Sequence, residues 1–155
     1  GTFRPNKSTY SVWDAIEDEC RLQRPILKLK EIKLEKKPTE VLELFSDKNL
    51  LSLAFHNIFT NAIKFTKKGG TIVVESRQVN NMLLLSVEDS GIGMTPEELV
   101  YIYEDKSFSK PGTINEHGSG FGLHIAKEIV ELLDGNIEVD SQENIGTTVT
   151  ICIPI

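Results

Sequence analysis

Between Leu50 and Thr66 the chain alternates in the manner of a helix that is apolar on most sides and carries one polar stripe. Leu50, Leu51, Leu53, Ile58, Phe59, Ile63 and Phe65 supply a surface suited to packing on a sheet. Asn57, Asn61 and Lys64, separated by four and then three residues, fall together on one face. Asparagine is a mediocre helix former, and a buried amide costs free energy unless its donors and acceptors are satisfied. Two amides and an ammonium beside such a core therefore suit a ligand rich in oxygen and negative charge. Ser46 and Asp47 can cap the helix, and Lys68-Gly69-Gly70 breaks it after about Lys67.

The same periodicities place the remaining elements. Residues 1–10 read as lead-in. Ser11-Val12-Trp13-Asp14 resembles a capping box, and Ala15, Ile16 and Cys20 give an amphipathic helix ending near Pro25. Lys28 to Glu35 approximates an alternation of apolar and charged residues, which predicts a strand closed by Pro38. Thr71 to Val79 and Met82 to Glu88 are aliphatic and β-branched runs joined by Asn80-Asn81, a hairpin signal. Thr95 caps a short helix with Pro96 in its first turn. A long polar stretch, Glu104 to Gly118, has the length of a lid. A helix from Leu123 to Leu133 ends at Gly135, and strands at Asn136 to Asp140 and Thr147 to Ile155 flank a turn at 143–146.

Composition narrows the class. At 155 residues, 39% hydrophobic and 26% charged, there is material for one domain with a real core. A net charge of −6 disfavours nonspecific nucleic-acid binding, which needs a dense basic face. Cys20 and Cys152 are far apart and lack metal-ligand spacing, so reduced thiols and a cytoplasmic location are expected. No apolar run approaches the roughly 20 residues that cross a bilayer, and the opening Gly-Thr-Phe-Arg-Pro-Asn-Lys does not read as a signal peptide; no direct membrane contact is expected.

Two further segments carry chemistry. Asp89-Ser90-Gly91-Ile92-Gly93 follows a hydrophobic strand and reads either as a simple exit turn or as a base-recognition loop. In the second case the carboxylate accepts a hydrogen bond from the exocyclic amine of adenine, where guanine would oppose it with a carbonyl, and Gly91 and Gly93 admit close approach of the flat base. Gly118-Ser119-Gly120-Phe121-Gly122-Leu123 runs straight into an apolar helix. It reads either as a hinge or as a backbone anion site suited to phosphate. Its spacing fits neither the P-loop nor the dinucleotide fingerprint. The stripe likewise reads either as a solvated helix edge or as a site where the Asn61 oxygen ligates Mg²⁺, with Asn57 and Lys64 on the same polyphosphate.

Taken in order, these segments resemble the ATP-binding catalytic domain of sensor histidine kinases, in the superfamily shared with DNA gyrase, mismatch-repair and heat-shock chaperone ATPases. Asn57 to Thr66 looks like the family's asparagine box, Asp89 to Gly93 like its first glycine box, Gly118 to Leu123 like its second, and Gly146-Thr147-Thr148 through Pro154 like its closing strand. The resemblance extends from about Ser11 to Ile155, so 11–155 is the expected catalytic domain. It implies a two-layer α/β sandwich of the Bergerat type, a mixed sheet of about five strands with three main helices on one face. The family's Phe-x-Pro-Phe-like segment before the lid has no clear counterpart; Tyr103 and Phe108 are the nearest aromatics.

The resemblance also implies roles. Asn61 would ligate Mg²⁺, Asn57 and Lys64 would contact phosphates, and Asp89 would read adenine, with Gly91 and Gly93 lining the base pocket. Gly118, Gly120, Gly122 and Leu123 would form the phosphate side, Thr147 would bond near the base, and Glu104 to His117 would be the ATP lid. The implied cofactors are ATP and Mg²⁺. The implied partners are an upstream dimerisation domain bearing the phosphoacceptor histidine and the receiver domain of a response regulator, in a parent free to be membrane-anchored. His56 and His124 read as surface or packed histidines and His117 as a phosphate contact, so acceptor and general base are expected elsewhere. Two alternatives stay open at this point: a related ATPase or serine kinase, and a nucleotide-sensing interaction module without transfer activity.

Overall fold

The computed structural model describes residues 4–38, 43–103 and 122–155. In chain order the elements are β1 (Ser8–Ser11), α1 (Val12–Leu22), α2 (Arg24–Leu29), β2 (Lys33–Lys37), β3 (Glu43–Ser46), α3 (Lys48–Phe65), β4 (Thr71–Val79), β5 (Met82–Asp89), α4 (Pro96–Tyr103), α5 (Gly122–Leu132), β6 (Asn136–Gln142) and β7 (Gly146–Pro154). Five strands form one mixed sheet in the order β2-β4-β5-β7-β6, parallel only between β2 and β4. The α/β fold with a five-stranded sheet is the one expected.

Register explains why one face of the sheet is covered. Ile72 and Val74 on β4, Leu83, Leu85 and Val87 on β5, and Val149, Ile151 and Ile153 on β7 are all buried and share the period of two. Against them lie Leu51, Ala54, Phe55, Ile58, Phe59, Ala62 and Ile63 of α3, the apolar stripe that three- and four-residue steps produce. Phe55 and Phe59 stack with ring centroids 5.3 Å apart. Each such buried ring stabilises the fold by on the order of 2–3 kcal/mol. Helix α1 packs on α3 through Val12 and Ile16, and α5 packs on α3 and the β6–β7 side through Ala126, Ile129 and Val130. Leu53, by contrast, is largely exposed and takes no part in the core.

Helix ends follow their chemistry. Asp47 caps α3 by accepting from the Leu50 amide at 3.1 Å, and its second carboxylate oxygen accepts from the Asn6 amide at 2.8 Å. The Thr95 hydroxyl accepts from the Glu98 amide while the Glu98 carboxylate accepts from the Thr95 amide, a capping box that begins α4.

Two local expectations are corrected. The strand predicted over 28–35 is instead the end of α2, a turn, and β2 at Lys33–Lys37. Pro25 opens a new helical turn, where its missing amide hydrogen costs nothing, and Glu31 at φ 53° then reverses the chain. Within the lead-in, Ser8–Ser11 pairs antiparallel with Glu43–Ser46 in a separate two-stranded ribbon. A four-residue strand of Ser, Thr and Tyr has too short a period to announce itself, and its partner lies far away in sequence.

Candidate functional site

The candidate residues lie on the C-terminal half of α3, in the loop after β5, at the start of α5 and around the β6–β7 turn. On α3, Asn57, Asn61 and Lys64 are each half-buried, as a face between core and solvent should be. The Asn57 side-chain NH2 donates to the Leu53 carbonyl at 2.9 Å, and the amide keeps its oxygen as an acceptor. A Cβ placed on Gly122, the first residue of α5, would lie 4.0 Å from that Asn57 oxygen. The end of the second glycine segment therefore stands beside the stripe. The Lys64 ammonium lies 5.0 Å from the centroid of the neighbouring Phe65 ring, within cation–π range. Leu123 sends its side chain into the core. Gly118 and Gly120, the lid from Glu104, and His117 lie outside the described residues, as does Phe108.

Asp89 ends β5, opposite Ile72 of β4 and Thr147 of β7. It is only 9% exposed. One carboxylate oxygen, Oδ1, accepts from the Gly91 amide at 2.9 Å and from the Thr147 amide at 3.3 Å. Among the described residues the other oxygen receives no hydrogen bond. Burial pushes the carboxyl group up to about 6, against the two amide hydrogen bonds that favour its ionised form. A buried carboxylate held this way is an acceptor awaiting a donor.

The glycines around Asp89 are required by close approach. Gly93 has φ 67°, and a Cβ there would overlap the Gln142 carbonyl. A Cβ on Gly91 would overlap the Phe65 carbonyl at the end of α3. Two backbone bonds complete the weave: the Ile92 amide donates to the Phe65 carbonyl at 3.1 Å, and the Asn144 amide donates to the Ile92 carbonyl at 2.7 Å. The loop that holds Asp89 is thus bonded directly to the helix that bears the stripe.

Sequence reasoning missed Ser141. Its hydroxyl accepts from the Met94 amide at 2.8 Å and lies 2.7 Å from the Thr147 hydroxyl and 3.2 Å from the Gly146 carbonyl. The only sequence cue was its place opposite Thr147 once β6 and β7 are paired. His56 is engaged, its Nδ1 lying 2.6 Å from the Glu19 carboxylate of α1, and His124 is buried. Both match the expectation of packed histidines. Among the described residues no group of three or more His, Cys, Asp or Glu side chains could hold a metal. The donor set at the stripe is a neutral amide oxygen, which suits a hydrated Mg²⁺ that takes its other ligands from phosphates.

Residues 46–155 match the family described as histidine kinase-, DNA gyrase B- and HSP90-like ATPases. The chain is 32% identical over 163 residues to the autoinducer 2 sensor kinase/phosphatase LuxQ of Vibrio parahaemolyticus, an alignment covering 100% of this chain and 19% of that protein. Among solved structures it is similar to the mycobacterial sensor histidine kinase MprB, with a TM-score of 0.79 and 27% identity over 96% of this chain and 97% of that one. It is also similar in fold to histidine kinase ThkA, solved in complex with the response regulator protein TrrA, with a TM-score of 0.78 and 21% identity over 96% of this chain and 41% of that one. The chain spans about a fifth of the length of LuxQ. With a family match over most of its length and the fold and site segments in their expected order, the chain belongs to the histidine kinase-, DNA gyrase B- and HSP90-like ATPase family, as an ATP-binding domain of the histidine-kinase type.

Proposed function

We propose that this domain presents Mg-ATP for phosphoryl transfer to a histidine on a separate dimerisation domain, as part of a two-component sensor kinase. The observation that carries this reading is the pairing of Asp89, whose Oδ1 is held by two backbone amides, with a stripe helix to which its loop is directly hydrogen-bonded. In this reading the free Asp89 oxygen accepts from the adenine amine, and Gly91 and Gly93 let the base lie against backbone. Thr147 fixes the carboxylate through its amide. Asn57 and Lys64 contact phosphate oxygens, aided by the amides at the start of α5 and by the segment containing Gly118, Gly120 and Gly122. Asn61 holds Mg²⁺, which when bound neutralises phosphate charge.

The transfer would break the bond between the γ-phosphorus and its bridging oxygen and form a phosphorus–nitrogen bond on the acceptor imidazole, releasing ADP. The imidazole proton passes to a base outside this chain. What the domain contributes is positioning and charge neutralisation. The phosphoryl group then moves to an aspartate on a response regulator. The complex of ThkA with a response regulator supports a partner of that class for this chain. The proposed location is the cytoplasm, in keeping with reduced thiols at Cys20 and Cys152; no described helix is long and apolar enough to cross a membrane.

The test is to mix this domain with the histidine-bearing domain of its parent and γ-labelled ATP. Acid-labile, base-stable label on the partner is the expected result. Binding of Mg-ATP without any transferred label would overturn the kinase reading and favour a nucleotide sensor.

A further inference from the structure

Among the described residues Lys30 is a fully buried lysine, 1% exposed, yet it lies outside every segment proposed for the nucleotide. It follows α2, where the chain turns back toward β2. An ammonium removed from water carries a desolvation cost of several kcal/mol unless it is hydrogen-bonded or paired. Here it is met by the last turn of α3: Lys30 Nζ donates to the Ile63 carbonyl at 2.7 Å and to the Lys64 carbonyl at 3.2 Å. Both carbonyls lie in the last turn, at the negative pole of the helix dipole, and the Ile63 carbonyl also receives the Thr66 amide at 3.3 Å.

The neighbouring acceptors are filled in sequence. The Ala62 carbonyl receives the Thr66 hydroxyl at 2.7 Å, and the Phe65 carbonyl receives the Ile92 amide at 3.1 Å. The Lys30 carbonyl in turn accepts from the Gly69 amide at 2.9 Å, so one residue grips both the end of α3 and the turn after it. That last turn bears Lys64 of the stripe, and its final carbonyl anchors the loop of Asp89. A displacement of the turn would move the phosphate half and the base half relative to each other.

We propose that Lys30 is a positioning residue of the nucleotide site, whose buried ammonium locks the last turn of α3 and so fixes Lys64 and the Ile92 anchor in the geometry that a nucleoside triphosphate requires. The proposal rests on the ATP-binding reading and assigns to that site a support that touches no ligand atom. A structural role alone would lower stability and leave the folded protein's affinity unchanged.

The experiment compares Lys30→Met and Lys30→Gln with Leu27→Ala, a core truncation in α2 that serves as a destabilised control. Melting temperatures are measured first, and Mg-ATP affinity is then titrated at a temperature where each variant is folded. Amide spectra follow Gly91 and Ile92. Lys30→Met is expected to weaken Mg-ATP at least tenfold and to shift the Gly91 and Ile92 amides, with Lys30→Gln losing several-fold and Leu27→Ala melting earlier but binding as the wild type does. If Lys30→Met does not fold, Lys30→Gln decides the matter. Wild-type affinity and unshifted amides in the folded Lys30 variants would overturn the proposal. Failure of the wild type itself to bind Mg-ATP would overturn the nucleotide reading instead.

Discussion

The two halves of the site are built by different means. The half proposed to read the base depends on backbone from four places: Asp89 receives the amides of Gly91 and Thr147, Ile92 is bonded to Phe65 and Asn144, and Gly93 is pressed against Gln142. The half proposed for phosphate is a row of half-buried side chains on one helix, placed by periodicity, and a Cβ added at Gly122 would lie 4.0 Å from the Asn57 side-chain oxygen, in ordinary contact. In the proposed reading the contrast follows from the ligand. A flat base is recognised by one directional bond and close contact, which demands rigid surroundings. A hydrated polyphosphate is recognised by charge and several oxygens, which a row of adaptable side chains can meet.

The contrast can be broken most sharply at its glycines. Gly93→Ala puts a side chain at φ 67° and onto a carbonyl, and is expected to cost about 3 kcal/mol or more, or roughly 6–12 °C in melting temperature. Gly122→Ala should leave the melt within about 2 °C, since among the described residues its Cβ meets nothing closer than 3.9 Å. Equal effects in thermal denaturation would erase the distinction between the halves.

Next comes pH. Burial holds the Asp89 carboxyl group near 6 in the folded state against 3.8 ordinarily, so its contribution to stability is fully present below pH 3.8 and is lost as pH rises through about 6. Relative to Asp89→Asn, the wild type should lose about 3 kcal/mol of unfolding free energy across that interval, read from denaturant titrations at each pH. Nucleotide affinity should run the opposite way, improving as pH rises through 6, because the base amine needs an ionised acceptor. Parallel trends would contradict the assigned role.

Asp89→Asn keeps an oxygen for the Gly91 and Thr147 amides but turns a donor toward the base. Its affinity for Mg-ATP should fall about 10- to 100-fold by calorimetry, with the fold intact. The smallest effect is expected at the half-buried end proposed for phosphate. Lys64→Gln should weaken Mg-ATP by only a few-fold, and the difference should shrink as salt is raised. A salt-independent loss there would mean that Lys64 acts by packing on Phe65 rather than by charge.

How much of this was legible in the sequence tracks the same division. The stripe could be read from three residues, because helical periodicity alone places Asn57, Asn61 and Lys64 together. The hairpin of β4 and β5 was equally plain, since Asn80 at φ 55° performs the turn that the Asn-Asn pair announces. Ser141 and Lys30 were not legible. Ser141 matters only once β6 and β7 are in register, and Lys30 looked like one of several charges in an alternating run. Its burial is decided by α3, more than thirty residues away. The same reading put the start of the strand too early, at 28 rather than at Lys33, because the helical end of α2 and the turn at Lys30 and Glu31 share the alternating pattern.

The central claim is that the stripe and Asp89 form one nucleotide site with a metal end and a base end. Calorimetric titration of ATP into the wild type, Asn61→Ala and Asp89→Asn, in Mg²⁺ and again in EDTA, tests it most directly. Asp89→Asn should weaken binding in both conditions, whereas Asn61→Ala should weaken it only when Mg²⁺ is present. Wild-type affinity in both variants under both conditions would contradict the account.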